Sequence, residues 1–273
     1  MMLMLWPRDA IAVLTHLASA SLRVDMSHRA SFFMASLGNG LVTLGEFLAL
    51  STLVHRFEGI AGWSLREVAL LYGLVSVSFG LAELFFSGFK DLGTAIRTGD
   101  LDRWLLRPRG LVLQVVGQHV EPRVIGRFLQ AAGVLGWALV GLPTALGVSG
   151  GVLLLVSMVS TVVFFGSVFV LQGATAFWTV ESVEALNTLT YGGVDTASLP
   201  LSIYPSWLRW FFLIVVPLGC VTFLPVITIL GMPWPFDLPS WLGWVAPCMA
   251  LPFAWFSSRI LRAGLWRYAS TGT

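Results

Sequence analysis

The sequence predicts an all-α integral membrane protein: six transmembrane helices preceded by an interfacial helix. Three observations carry that prediction. First, 11% of the 273 residues are charged and 56% are hydrophobic, with a mean hydropathy of +0.83, whereas a soluble domain carries about 25% charged residues to cover its surface. Second, the apolar residues arrive in blocks of the roughly 20 residues that a helix needs to cross about 30 Å of hydrocarbon. Third, the basic residues gather in alternate connectors between those blocks, as they do in chains that cross a membrane repeatedly.

The elements follow in order along the chain. Over residues 1–30, Val13, Leu14, Leu17 and Leu22 recur at helical spacing but are interrupted by Arg8, Asp9, His16, Arg23 and Asp25, which predicts an amphipathic helix lying in the interface. Ala18-Ser19-Ala20 mimics a leader-cleavage site. The Arg8–Asp9 pair and His16 spoil the pattern, so the segment is expected to be retained. The first span is 31–54, and a polar connector, 55–66, turns at Gly59 and Gly62. The second span, 67–89, leads into the most polar stretch, 90–127. The third span is 128–146, 147–151 is a tight turn, and the fourth span is 152–180. An amphiphilic connector, 181–206, is broken by Gly192, Gly193, Pro200 and Pro205. The fifth block, 207–231, is interrupted by Pro217, Gly219 and Pro225, and proline removes a helix hydrogen bond wherever it falls in a helix interior. A turn with Pro233, Pro235 and Pro239 precedes the sixth span, 241–261. Trp63, Trp178, Trp207, Trp210, Trp234, Trp241 and Trp244 fall near the span ends, where an amphipathic ring is favoured.

Orientation comes from the arginines. With the N-terminus inside and six crossings, the inner segments hold 14 of the 16 basic residues, and only Arg56 and Arg66 fall outside. Cytoplasmic loops concentrate Lys and Arg, so both termini are expected in the cytoplasm. The net charge of +2 gives no footprint for nucleic acid. Cys220 and Cys248 lie in apolar stretches without metal-ligand spacing.

Several chemistries are missing. A P-loop needs a lysine after a glycine-rich turn, and the single lysine, Lys90, stands between Phe89 and Asp91. This chain therefore carries no ATPase site and no cofactor of its own. Asp100 and Asp102 have the spacing of a metal-holding acid pair, but Arg97 and Arg103 beside them offer ordinary ion pairing, and no metal is expected. Two carboxylates lie inside spans: Glu46, about 12 Å from the outer end of the first, and Glu83, near the inner end of the second. An intramembrane carboxylate is costly and faces a bundle interior or a wet cavity. Both are candidates for lining a translocation route. Glu83 has the alternative of pairing with Lys90, and Glu46 that of being neutral or hydrogen-bonded across helices. Residues 90–109 are basic, amphipathic and punctuated by Gly99 and Pro108. They fit either a loop attracted to anionic headgroups or a short helix that docks on a partner.

Within that stretch, Arg-Thr-Gly-Asp-Leu-Asp-Arg-Trp-Leu-Leu-Arg-Pro (97–108) resembles the signature loop of bacterial type-2 ABC transporter permeases, in their transport-system permease branch. Gly-Trp-Ser-Leu-Arg-Glu-Val and Leu-Leu-Tyr-Gly (62–73), Pro-Leu-Ser-Ile-Tyr-Pro-Ser-Trp-Leu-Arg (200–209) and Arg-Tyr-Ala-Ser-Thr-Gly-Thr (267–273) match in order, so the likeness covers essentially the whole chain as one permease domain. The resemblance implies six spans with both ends inside, an interfacial first helix, and a partly re-entrant region around span five. It also implies a coupling helix to which Arg97, Asp100, Leu101, Asp102, Arg103, Trp104 and Arg107 belong. It further implies two copies of a P-loop ATPase that bind ATP and magnesium, a second permease that makes a heterodimer, and a place in the bacterial inner membrane. The expected activity is export of a lipophilic, glycolipid-like or drug-like substrate. The Gly-rich Gly192-Gly193-Val194-Asp195 departs from the family pattern and leaves that connector's shape open. Two rival readings are a secondary transporter or channel, which would show discontinuous helices in both halves, and a membrane-embedded lipid-linked transferase, for which only Asp100 and Asp102 qualify.

Overall fold

The computed structural model describes residues 29–107, 110–118, 121, 124–142, 146–179, 182–234 and 239–268, with the side chains of 29, 118 and 182–189 left aside. The interfacial helix expected over 1–30, the close of the polar segment at Pro108 and Arg109, and the tail 269–273 lie outside the described residues. Among those described, all regular structure is helical.

Helix α1, Arg29–Arg56, and helix α2, Leu65–Phe86, are joined by a turn in which the Ile60 and Trp63 backbones pair. Gly59 and Gly62 take positive φ there, as their spacing predicts. The Ser64 N–H donates to the Glu67 carboxylate at 2.7 Å, an acidic cap on the first turn of α2. A 3-10 turn, Ser87–Asp91, continues α2 into α3, Leu92–Thr98, so that Leu65–Thr98 forms one apolar stretch. Two short helices follow, α4 (Asp100–Leu105) and α5 (Leu111–Gln118). Helix α6, Ile125–Val140, ends at Gly141, short of the predicted 146. Helix α7 is Val148–Thr175: the helix starts inside the predicted tight turn at 147–151 and runs through Gly150 and Gly151.

The predicted connector 181–206 is corrected by helix α8, Ser182–Ala197, which continues through Gly192 and Gly193. The fifth block is broken, as its prolines require. Helix α9 (Ser206–Trp210) and a π-helical turn (Phe211–Val215) meet α10 (Leu218–Val221) and α11 (Phe223–Leu230) at a 75° bend. The bend falls at Val216 and Pro217, where the ring leaves no N–H to carry the ladder across. The Val221 carbonyl, whose helical donor position is taken by Pro225, accepts from Ser157 and Thr161 of α7. Helix α12 (Leu242–Val245), a 3-10 turn (Ala246–Met249) and α13 (Ala250–Arg267) carry the last predicted span six residues past its expected end.

The core is built around α2, whose residues from Val68 through Gly80 are all buried. Helix α6 lies against it because Gly73 has no side chain: a Cβ there would sit 2.8 Å from the Cα and Cβ of Leu135. Helix α1 reaches α6 where Gly126 meets the Ser36 backbone. The rest of α1 turns outward, with Phe33, Met34, Leu41, Val42 and Leu48 exposed. An apolar face of that extent marks a lipid or protein contact. Among the described residues, three helices are long and apolar enough to cross a membrane, and the bent pair makes a fourth if it is one span. Trp63, two residues before α2, is buried and stacks on Phe223 with ring centroids 5.7 Å apart.

Candidate functional site

The segment singled out by sequence folds as two short helices hinged at Gly99. That glycine has φ +76° and ψ 5°, a left-handed conformation that costs a side-chain-bearing residue about 1 kcal/mol or more. The bend lets α3 and α4 bury one common face. Leu92, Ala95 and Leu101 are buried, and Ile96 and Trp104 pack partly against the core. The Gln114 amide of α5 donates to the Trp104 carbonyl at 2.9 Å and fixes the end of α4. Asp100 accepts from the Thr98 hydroxyl at 2.7 Å and from Arg103 at 3.3 Å, an exposed pairing that contributes little to stability. Arg97, Arg103, Leu105, Leu106 and Arg107 are left exposed, Leu106 by 85%. Of the seven residues marked by sequence, Leu101 therefore faces inward and positions the helix. Arg97, Arg103 and Arg107 project outward, and Asp100, Asp102 and Trp104 are half-buried. The outward surface is basic with a leucine pair at its edge.

Glu83 is a different kind of site. It is 5% exposed and its two oxygens are engaged from three directions. Oε1 accepts from Lys90 Nζ at 3.1 Å and from the Tyr191 hydroxyl at 2.6 Å, and Oε2 accepts from Arg127 at 3.0 Å. Lys90 Nζ also donates to the Tyr191 oxygen at 2.7 Å and lies 5.1 Å from the Phe169 ring centroid. The Arg127 guanidinium lies 5.6 Å from the Phe79 ring. Phe79 in turn packs on Phe165, Phe169 and Tyr191 at 5.0, 5.9 and 5.5 Å. The carboxylate is thus clasped between α2, the Ser87–Asp91 turn, α6 and α8, beside aromatic rings of α2, α7 and α8. Glycine makes this closeness possible, because a Cβ at Gly173 of α7 would stand 2.7 Å from the Phe89 carbonyl oxygen. The pairing of Glu83 with Lys90 was readable from their spacing along one helix. The contributions of Arg127 and Tyr191 were not, since they come from 44 and 108 residues away.

Glu46 is not part of that cluster. It stands on the exposed side of α1, ten residues before Arg56, so about 15 Å from that end by helical rise. Among the described residues no hydrogen bond or ion pair reaches it. Three or more His, Cys, Asp or Glu side chains nowhere converge as metal ligands among the described residues.

In comparison with known families, the model of the ABC-2 family transporter protein matches residues 41–272. No curated protein and no solved structure matches the chain.

Proposed function

Because the chain belongs to the ABC-2 transporter family and is thus an ABC transporter permease, we propose that it is the membrane half of an exporter powered by a separate P-loop ATPase. Two ATPase copies would bind ATP and magnesium, and a second permease would complete the complex as a heterodimer. The observation that carries this reading is the α3–α4 segment. Its buried face of Leu92, Ala95 and Leu101 anchors it to the core while Arg97, Arg103, Leu105, Leu106 and Arg107 are offered outward. A surface fixed from behind and exposed in front is what a docking helix needs, whereas attraction to headgroups depends on charge alone.

Six crossings fit the helices when α6 is counted as a short span, the bent segment as the fifth, and 242–267 as the sixth. The termini, and the 97–107 surface with them, then face the cytoplasm of a bacterial inner membrane. Substrate passes outward between the two permeases, and its lipophilic, glycolipid-like or drug-like character suits the apolar outward face of α1. Glu46 is the carboxylate this reading assigns to the route, because it lies at depth on an exposed face. Glu83, whose oxygens are engaged within the chain, belongs to the frame.

The test is purification of the tagged chain from its own membrane in mild detergent. A P-loop ATPase is expected to co-purify, and the chain stripped of it is expected to hydrolyse no ATP. Sustained hydrolysis by a preparation free of any P-loop protein would overturn the reading.

A further inference from the structure

We propose that Glu83 is the joint through which movement of the 92–107 segment reaches helix α8 and the surface around Asp195, an inference that rests on that segment being the ATPase-docking element. Lys90 stands two residues before α3 begins, so any displacement of α3 moves its ammonium. That ammonium has three neighbours: the Glu83 carboxylate at 3.1 Å, the Tyr191 hydroxyl at 2.7 Å and the Phe169 face at 5.1 Å. Tyr191 is on α8, one turn before Asp195, and Asp195 is exposed. Glu83 binds Lys90 and Tyr191 through the same oxygen and holds Arg127 of α6 through the other. The root of the docking segment, the start of α6 and the middle of α8 are therefore tied to one buried carboxylate.

A buried cluster of this kind does not deform gradually. Lys90 leaving Glu83 would part a largely buried ion pair and give up its hydrogen bonds to Glu83 and Tyr191 together, leaving Arg127 as the one cation on a buried carboxylate, which is costly. The joint therefore moves as a body and carries Tyr191 with Lys90. Apolar packing alone would let α3 shift without α8 at far smaller cost. The arrangement also explains why a chain with 15 arginines holds one lysine at this place: a compact ammonium on a flexible stem fits between a carboxylate, a phenol and an aromatic face.

The experiment uses the complete transporter with its ATPase, with Cys248 replaced by Ser and buried Cys220 left in place. A spin label is attached through Thr94→Cys on α3 or Asp195→Cys on α8, and spectra are taken before and after adding magnesium ATP and vanadate. In the otherwise native protein both labels are expected to respond. With Glu83→Gln, the Thr94 label should still respond, while the fraction of Asp195 labels that respond falls at least about tenfold, since the variant weakens the ties to Lys90 and Arg127 together and losing even one hydrogen bond to a charged group has that effect. Tyr191→Phe keeps the ring against Phe79 and removes only the hydroxyl. It gives the same split between the two labels if Glu83→Gln fails to assemble. An unchanged Asp195 response in either variant would overturn the joint. A silent Thr94 label in the otherwise native complex would instead remove the docking reading, and the joint with it.

Discussion

Glu83 faces two cations and a phenol, so neutralising it leaves Lys90 and Arg127 half-buried beside an amide that cannot balance them. Breaking a buried pair by removing one partner costs about 3–5 kcal/mol. Glu83→Gln should therefore lower the thermal midpoint of the detergent-purified chain markedly, and adding Lys90→Met should recover part of the loss by removing one stranded charge. Equal midpoints for the native chain and Glu83→Gln would show that the cluster contributes nothing to stability. Glu46 should behave in the opposite way. Because Glu46 is exposed and has no hydrogen bond or ion pair among the described residues, Glu46→Gln is expected to leave assembly and melting unchanged while lowering transport by the reconstituted complex. Unchanged transport would make the residue structural. The difference between the two acids was only partly legible in the sequence. Both read as costly intramembrane carboxylates, and the nearby Lys90 favoured pairing for Glu83. The rest depends on Arg127 and Tyr191, which only the packing of α6 and α8 brings near.

At the level of elements, hydrophobic blocks located the helices well and glycines misled. Gly192 and Gly193 read as breakers, as did Gly147–Gly151, because glycine costs a helix about 1 kcal/mol relative to alanine. The structure runs helices through Gly150, Gly151, Gly192 and Gly193. Tertiary contacts outweigh the local penalty there: Thr190, Gly193 and Ala197 of α8 are buried. Prolines were the truer signal. Pro217 marks the 75° bend of the fifth block, since a missing N–H cannot be compensated by packing alone. Where glycine does matter is close helix approach, which spacing does not reveal. Gly73→Ala should destabilise the α2–α6 pair by about 1–3 kcal/mol through overpacking against Leu135. Gly136→Ala, which meets nothing within 4 Å on the exposed side of α6, should be neutral or slightly stabilising. Equal effects of the two substitutions in a thermal melt would contradict the packing described for these helices.

Across the whole molecule, composition alone fixed the class: too few charges for a water-facing surface, and apolar blocks of spanning length. The expected topology rests on the basic residues, 14 of 16 of which it puts on one side, and it predicts that a reporter fused after Thr273 is active in the cytoplasm and silent when tested outside. A signal from the outer side would invert the arrangement and take the 97–107 surface away from any cytoplasmic ATPase. The residues of that surface fitted either a docking helix or a headgroup-attracted loop, and its two faces were not legible: Leu101 is turned inward and Leu106 outward by the packing of α3 and α4. The most direct measurement exchanges Asp102 with Arg103 and Arg97 with Asp100, which preserves every charge and reorders the surface. The scrambled permease is predicted to insert normally and to lose co-purification with its P-loop ATPase, or to retain the ATPase while losing transport. Native association together with native transport would mean that the segment is a positively charged loop and nothing more.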